Sequence, residues 1–176
     1  MKYSLTVGTK RIRDIQHPKP NEIDLDEIEV RLKCIHRFSN NPKALTVHQH
    51  RHLVAALAKD GGASEPVIDW CLHHDDHEAI IGDIPGPLKA LIHQRTSELI
   101  KIEWGLDNAI CMARTGHPSP GTEIRKKVHI FDKMAETIEW IHVLGRDPEG
   151  WNAVVPFFDS KVKNILANAK AEAHRS

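Results

Sequence analysis

From Leu25 onward the apolar residues of this chain recur three and four positions apart, and Pro or Gly punctuates the segments between them. That spacing puts the apolar side chains on one face of a helix, so the chain is constrained to pack amphipathic helices around a shared interior. The expected fold class is all-α. Leu25, Ile28, Leu32 and Ile35 mark a first helix with Asp24 as its cap, broken at Ser39-Asn40-Asn41-Pro42 and ending with Arg37-Phe38. A second helix covers 47–59 and stops at Asp60-Gly61-Gly62. A third opens at Pro66 and runs to Ile81, where Gly82 to Pro87 makes a sharp turn. A fourth covers 88–104, with a short one following to Arg114. A long helix is expected over 122–144, capped by Gly145, and a last one over 151–173, kinked or delayed by Pro156. Only the N-terminus departs, because 3–7 and 11–13 alternate about Gly8 as a small β-hairpin does. With 176 residues, no internal repeat and no dividing linker, the chain reads as one domain, 1–176. Residues 1–20 form the hairpin and connector, and 21–176 the helical core.

Charge narrows the function. Lys plus Arg and Asp plus Glu both number 24, and a neutral chain lacks the basic excess that binds nucleic-acid polymers or membrane surfaces. The apolar runs are too short for a transmembrane helix or a signal peptide. Cys34, Cys71 and Cys111 show no paired spacing and read as thiols in a cytoplasm. The 13 histidines point toward a site, since imidazole ligates metals and titrates near neutrality.

Helical angle sorts those histidines. Over 47–59, His50 sits in the middle of the side formed by Val47, Leu53, Val54, Leu57 and Ala58. His48 and His52 fall opposite, beside Lys59, and are expected in solvent. Over 65–81, His74, Asp75 and Glu78 share the side of Val67, Ile68, Cys71 and Leu72, whereas His73, Asp76 and His77 fall on the other. Carboxylates facing a core are costly unless paired or bound to metal. His50, His74 and Asp75 together offer two imidazoles and a carboxylate, a set that suits Mn, Fe, Co, Ni or Zn better than Ca. A fourth ligand is expected from 122–144, where Asp132 lies at the margin of the apolar stripe and His142 within it. The angles do not choose between them.

The order of these residues resembles the HD-domain phosphohydrolases, and within them the bacterial and phage 5′-deoxynucleotidase-like group. The hallmark is a His, then His-Asp, then a distant Asp, which reads here as His50, His74-Asp75 and Asp132. The run from Leu72 through Glu78 to Gly82-Asp83-Ile84-Pro85-Gly86-Pro87-Leu88-Lys89 looks like the group's HD helix followed by its Pro-rich turn. Arg37-Phe38 matches its Arg-aromatic pair, and the likeness covers 25–140. Three departures bear on substrate preference: Gln49-His50-Arg51 where the group has Glu-His-Ser, Phe38 where Trp is common, and Asp76-His77 in place of small residues.

The resemblance implies a phosphohydrolase acting on small 2′-deoxynucleotides, oligomeric, with one divalent ion (Co, Mn, Zn, Fe or Ni) on His50, His74, Asp75 and Asp132. Mg would accompany a polyphosphate substrate. It implies Glu78 as catalytic acid or base, and Arg37 and Lys89 as phosphate-binding residues. Asp83 would accept a hydrogen bond from the sugar 3′-hydroxyl, and Phe38 would pack on the deoxyribose. Two versions share such a site: a 5′-nucleotidase, and a triphosphohydrolase releasing triphosphate, for which Arg51, Arg95, Arg125, Lys126 and Lys127 are available. Alternatives are a signalling-nucleotide hydrolase and a metal-stabilised binding protein without turnover. The joint presence of Glu78, Lys89 and Arg37 argues against the last.

Overall fold

A computed structural model describes residues 3–145 and 159–175, and their fold is all-α with one small antiparallel hairpin. The hairpin pairs β1 (Leu5–Val7) with β2 (Lys10–Ile12), Leu5 opposite Ile12. Gly8 turns it at φ +58°, and a Cβ there would stand 2.7 Å from Glu27 Cβ. Conformation and close approach both select glycine. Asp24 ties this hairpin to α1 (Leu25–Cys34). Its carboxylate accepts hydrogen bonds from Thr9 N at 2.9 Å and Thr9 Oγ1 at 2.8 Å, and from Glu27 N at 3.3 Å as the helix cap.

The first helix stops at Cys34, earlier than periodicity suggests, and Arg37 and Phe38 do not belong to it. They begin α2 (Arg37–Asn40), a single turn in which Phe38, Ser39 and Asn40 have φ of 54°, 61° and 58°. Each such residue costs about 1–2 kcal/mol relative to the right-handed form. Tertiary contacts hold the turn: Arg37 N donates to Leu45 O at 3.0 Å, and His36 N to Asn40 Oδ1 at 3.1 Å. The chain then enters α3 (Val47–Asp60) through a reciprocal cap. Thr46 Oγ1 accepts from Gln49 N at 3.2 Å, and Gln49 Oε1 accepts from Thr46 N at 3.0 Å.

The expected third helix is interrupted. Regular winding ends with α4 (Glu65–Cys71) and resumes only in the one-turn α5 (Glu78–Ile81). Residues 72–77 between them form successive tight turns, with His73 N bonded to Trp70 O, Asp76 N to His73 O and Glu78 N to Asp75 O. Three-residue bonds give three residues per turn, not 3.6. Asp76 and His77, which the angles put away from the core, are nevertheless buried, because Arg51 and Arg114 cover Asp76 and Asp107 meets His77.

The next helices also divide differently. α6 (Gly86–Arg95) ends at Thr96, whose Oγ1 accepts from Glu98 N at 3.2 Å, and α7 (Glu98–Thr115) runs unbroken where a short separate helix was expected. α8 (Thr122–Ile138) passes into a π-turn over Glu139–Val143, closed by Leu144 N on Glu139 O at 3.0 Å, so 122–144 is not one regular helix. α9 (Asp159–Arg175) is the last element. The expected helical stretch from Trp151 past Pro156 lies outside the described residues.

α3 is the central helix, packed by α1, α4, α8 and α9. One apolar cluster gathers Leu53, Val54, Val67, Trp70, Val128 and Leu166, and the other Val7, Ile12, Ile28, Leu32, Leu106 and Ile110. Val47 of α3 belongs to the second and Leu53 to the first, so His50 sits between them at the seam. α9 covers the face of α3 expected to meet solvent. His48 is buried there, its Nε2 3.0 Å from Ala173 O, and His52 is half-buried with its ring against His48. No helix among the described residues is long and apolar enough to cross a membrane.

Candidate metal centre

Three elements deliver the donors. His50 comes from the middle of α3, His74 and Asp75 from the tight turns over 72–77, and Asp132 from α8. Donor atoms of His50, His74 and Asp75 all lie within 4.8 Å of one another. Asp75 Oδ2 is 3.2 Å from His74 Nε2 and 3.7 Å from His50 Nε2, while Asp132 Oδ1 is 3.1 Å from His50 Nε2 and 4.0 Å from His74 Nε2. Metal bonds of about 2.0–2.2 Å place neighbouring donors roughly 3.0–3.5 Å apart, so the cluster needs little contraction to close on one ion. Asp132, at the margin of its stripe, approaches both imidazoles. His142 belongs to neither donor group found among the described residues.

Both imidazoles are oriented from behind. His74 Nδ1 donates to Cys71 O at 2.9 Å, which turns Nε2 inward, buried and without a hydrogen-bond partner. His50 Nδ1 donates to Glu139 Oε1 at 2.5 Å, and Glu139 is fully buried. A carboxylate behind a histidine fixes its tautomer and makes the other nitrogen a better ligand. Glu139 was not singled out in the sequence, although it follows Ala135 by four residues and Asp132 by seven on the buried side of α8, where the π-turn begins. Such turns recur at functional sites.

The electrostatics favour a cation at this point. Burial opposes charge on His74, yet Asp75 and Asp132 raise its pKa to about 9. Burial and Arg37 oppose charge on His50, and Glu139 and Asp132 still raise it. Burial alone would lift Asp75, but His74, His50 and Arg37 hold it well below the carboxylate range. Against its burial, Asp132 is held down to about 2 by the His50 hydrogen bond and the charges of both histidines. The buried donor set fits a divalent ion.

A cavity of about 350 Å³ adjoins the centre, within the range of small-ligand sites. Arg37, Phe38, Asp83 and Trp140 are among its walls. Phe38 meets Trp140 edge-on, ring centres 4.9 Å apart. Trp140 lies in the π-turn, and the sequence did not single it out. Arg37 Nε is 3.3 Å from Glu139 Oε2 and its NH1 3.6 Å from Asp75 Oδ2, so this guanidinium joins cavity to metal ligands. Glu78 is buried, and its donor atom lies within 4.8 Å of one on Asp75. Burial, then the charges of Asp75 and Asp83, push its carboxyl well above the usual range. Lys89 reaches Glu103 Oε1 at 2.8 Å and does not line this cavity.

Two basic residues considered for a phosphate tail are committed elsewhere. Arg51 pairs with Glu29 and, at 3.1 Å, with Asp76 Oδ1, which also meets His73 at 3.1 Å and Arg114 at 3.0 Å through Oδ2. Arg125 pairs with Asp107 at 2.7 Å. Arg95, Lys126 and Lys127 are exposed and line no wall of the cavity.

Neither a protein-family model nor a curated protein sequence matches this chain.

Proposed function

We propose that this chain is a metal-dependent phosphohydrolase of the HD-domain type that removes the 5′-phosphate from 2′-deoxynucleoside monophosphates in the cytoplasm. The observation that carries the reading is the convergence of His50, His74, Asp75 and Asp132, both imidazoles oriented from behind, beside a cavity walled by Arg37, Phe38, Asp83 and Trp140. Those four residues would hold one divalent ion, with Mn, Co, Zn, Fe and Ni all suited to a mixed nitrogen and oxygen set. When bound, such an ion supplies Lewis acidity toward a phosphate oxygen and a water of lowered pKa.

The chain's own groups account for the rest. Arg37, braced by Asp75 and Glu139, presents a fixed positive charge to the phosphate. Glu78, kept neutral by burial and its acidic neighbours, donates a proton to the leaving 5′-oxygen. Asp83 accepts a hydrogen bond from the sugar 3′-hydroxyl. Phe38 and Trp140 form an apolar wall for the deoxyribose, against which a 2′-hydroxyl would be buried unpaired. Lys89, tied to Glu103, adds positive potential without direct contact. Among the described residues Arg37 is the only basic one that lines the cavity, which favours one phosphate over a triphosphate tail.

The test is a panel of deoxy- and ribonucleoside mono-, di- and triphosphates, assayed with added Mn, Co or Mg and again after chelation. Inorganic phosphate should appear from deoxynucleoside monophosphates and stop when metal is removed. Release of intact triphosphate, turnover of a signalling nucleotide alone, or no turnover with any metal would contradict the reading.

A further inference from the structure

His74 and Asp75 are the central pair of one tight turn, and the residues at its ends, His73 and Asp76, are joined twice. Asp76 N donates to His73 O at 3.1 Å, and His73 Nδ1 donates to Asp76 Oδ2 at 3.1 Å. Backbone and side chains thus close the same loop around the ligand pair. Asp76 is 1% exposed, so its carboxylate depends on protein partners in place of water.

The other partners of Asp76 come from two helices. Arg51 NH1 of α3 donates to Oδ1 at 3.1 Å, and Arg114 NH2 of α7 donates to Oδ2 at 3.0 Å. Both guanidiniums also meet Glu29 of α1. Arg51 does so through NH2, and Arg114 at 3.1 Å through the same nitrogen that holds Asp76. Arg51 NH2 donates as well to His48 Nδ1 at 2.7 Å, and His48 Nε2 reaches Ala173 O of α9. Arg51 and Arg114 balance Glu29 and Asp76, so the cluster is neutral in itself. Stability alone does not account for it, because apolar side chains of similar volume often hold a core as well as a buried ion network does. What the charges add is direction. Arg51 follows His50 on α3, and Asp76 follows Asp75 in the turn, so their ion pair joins the two elements that supply His50, His74 and Asp75. Both residues are departures from the HD pattern, and in this chain they occur together and meet.

We propose that Asp76, clamped by Arg51 and Arg114, is a positioning residue of the metal centre, and that this ion cluster sets the spacing between the His74-Asp75 turn and His50. The proposal rests on the metal reading of that centre. Ligand sets must be held within about 0.5 Å of their productive geometry, and the clamp fixes the two elements that carry three of the donors. The two arginines act differently. Arg51 spreads NH1 and NH2 over separate carboxylates as a fork, which lysine cannot reproduce. Arg114 makes both of its carboxylate contacts through one nitrogen, as a point charge, which lysine can.

The experiment is Co²⁺ titration of the whole protein, read by chelator competition for affinity and by the visible absorption of the bound ion for its coordination geometry. Asp76→Asn, Arg51→Lys and Arg114→Gln should each weaken Co²⁺ binding by about 10–100-fold, the usual loss when a support behind metal ligands goes, and should shift the absorption bands. Arg114→Lys should return both toward wild type. A cluster that only stabilises the fold would lower the melting temperature and leave affinity and bands unmoved in the folded variants. Arg114 is 26% exposed, so Arg114→Gln leaves the cluster access to water and serves if Asp76→Asn does not fold. Wild-type affinity and bands in any of the first three variants, once folded, overturn the clamp while leaving the centre intact, and so does Arg114→Lys binding as weakly as Arg114→Gln. A folded wild type that takes up no Co²⁺ overturns the metal centre and the proposed function together.

Discussion

Glu139 does more for the candidate centre than any residue outside its donors, because it holds His50 Nδ1 at 2.5 Å and also braces Arg37. Glu139→Gln keeps the shape and removes the charge behind the imidazole. Metal affinity should fall by about 10–100-fold, the usual cost of losing such a partner, as read by competition with a chelating dye. Unchanged affinity would reduce Glu139 to a packing role. Phe38 is tested separately. If it walls off the sugar, burying an unpaired 2′-hydroxyl costs about 1–3 kcal/mol, roughly 5- to 150-fold in specificity. Phe38→Ala should then raise the ribonucleotide's kcat/KM relative to the matched deoxynucleotide, and an unmoved ratio would make Phe38 part of the core. At this scale the sequence was uneven. His50, His74 and Asp75 were brought together by helical angle, because polar residues on an apolar face stand out, and the structure places their donors within 4.8 Å. Asp132 needed the resemblance. Glu139 was overlooked although it follows Ala135 by four residues on the buried side of α8, because a lone carboxylate there shows no partner in the sequence, and Trp140 lies in the π-turn, off that stripe.

Elements set the directions from which the donors arrive. The turns over 72–77 are the clearest case, since three residues per turn give three faces where a regular helix was expected. His73 and Asp76 share one face and bond to each other at 3.1 Å, while Asp75 and Glu78 share another that looks into the site. An angle of 100° per residue already separated these two pairs, but it did not show that Asp76 is buried on its own side. α3 depends on its cap in the same local way. Gln49, one of the departures from the family pattern, is spent on the Thr46 backbone, not on a ligand. Gln49→Ala should therefore lower stability by about 0.5–2 kcal/mol, seen as a lower urea midpoint, and leave the deoxy-to-ribo ratio unchanged. A changed ratio at unchanged stability would return Gln49 to the substrate pocket.

For the whole molecule, α3 and its two flanking apolar clusters form a frame, with the donors at the seam. The all-α class and the hairpin were readable from periodicity and from Gly8. The covering of His48 by α9 was not, since a helical wheel describes one helix and burial on its far side depends on a distant one. The thiols report on this frame. Cys34 is exposed, whereas Cys71 is buried and its thiol is pushed up to about 12 by burial, with Asp132 adding to it. At neutral pH Cys34 should react with a thiol reagent promptly and Cys71 only as fast as the core opens, and mass mapping of the labelled peptides would show the order. Equal rates would mean that the first apolar cluster is looser than drawn. The central claim is that His50, His74, Asp75 and Asp132 form a metal centre, and its most direct test is the metal content of purified wild type beside His74→Ala, both folded by thermal melt. Wild type should hold a divalent ion tightly and the variant should lose it; full occupancy in His74→Ala, or a folded wild type that takes up no ion, would leave these four residues without a metal role.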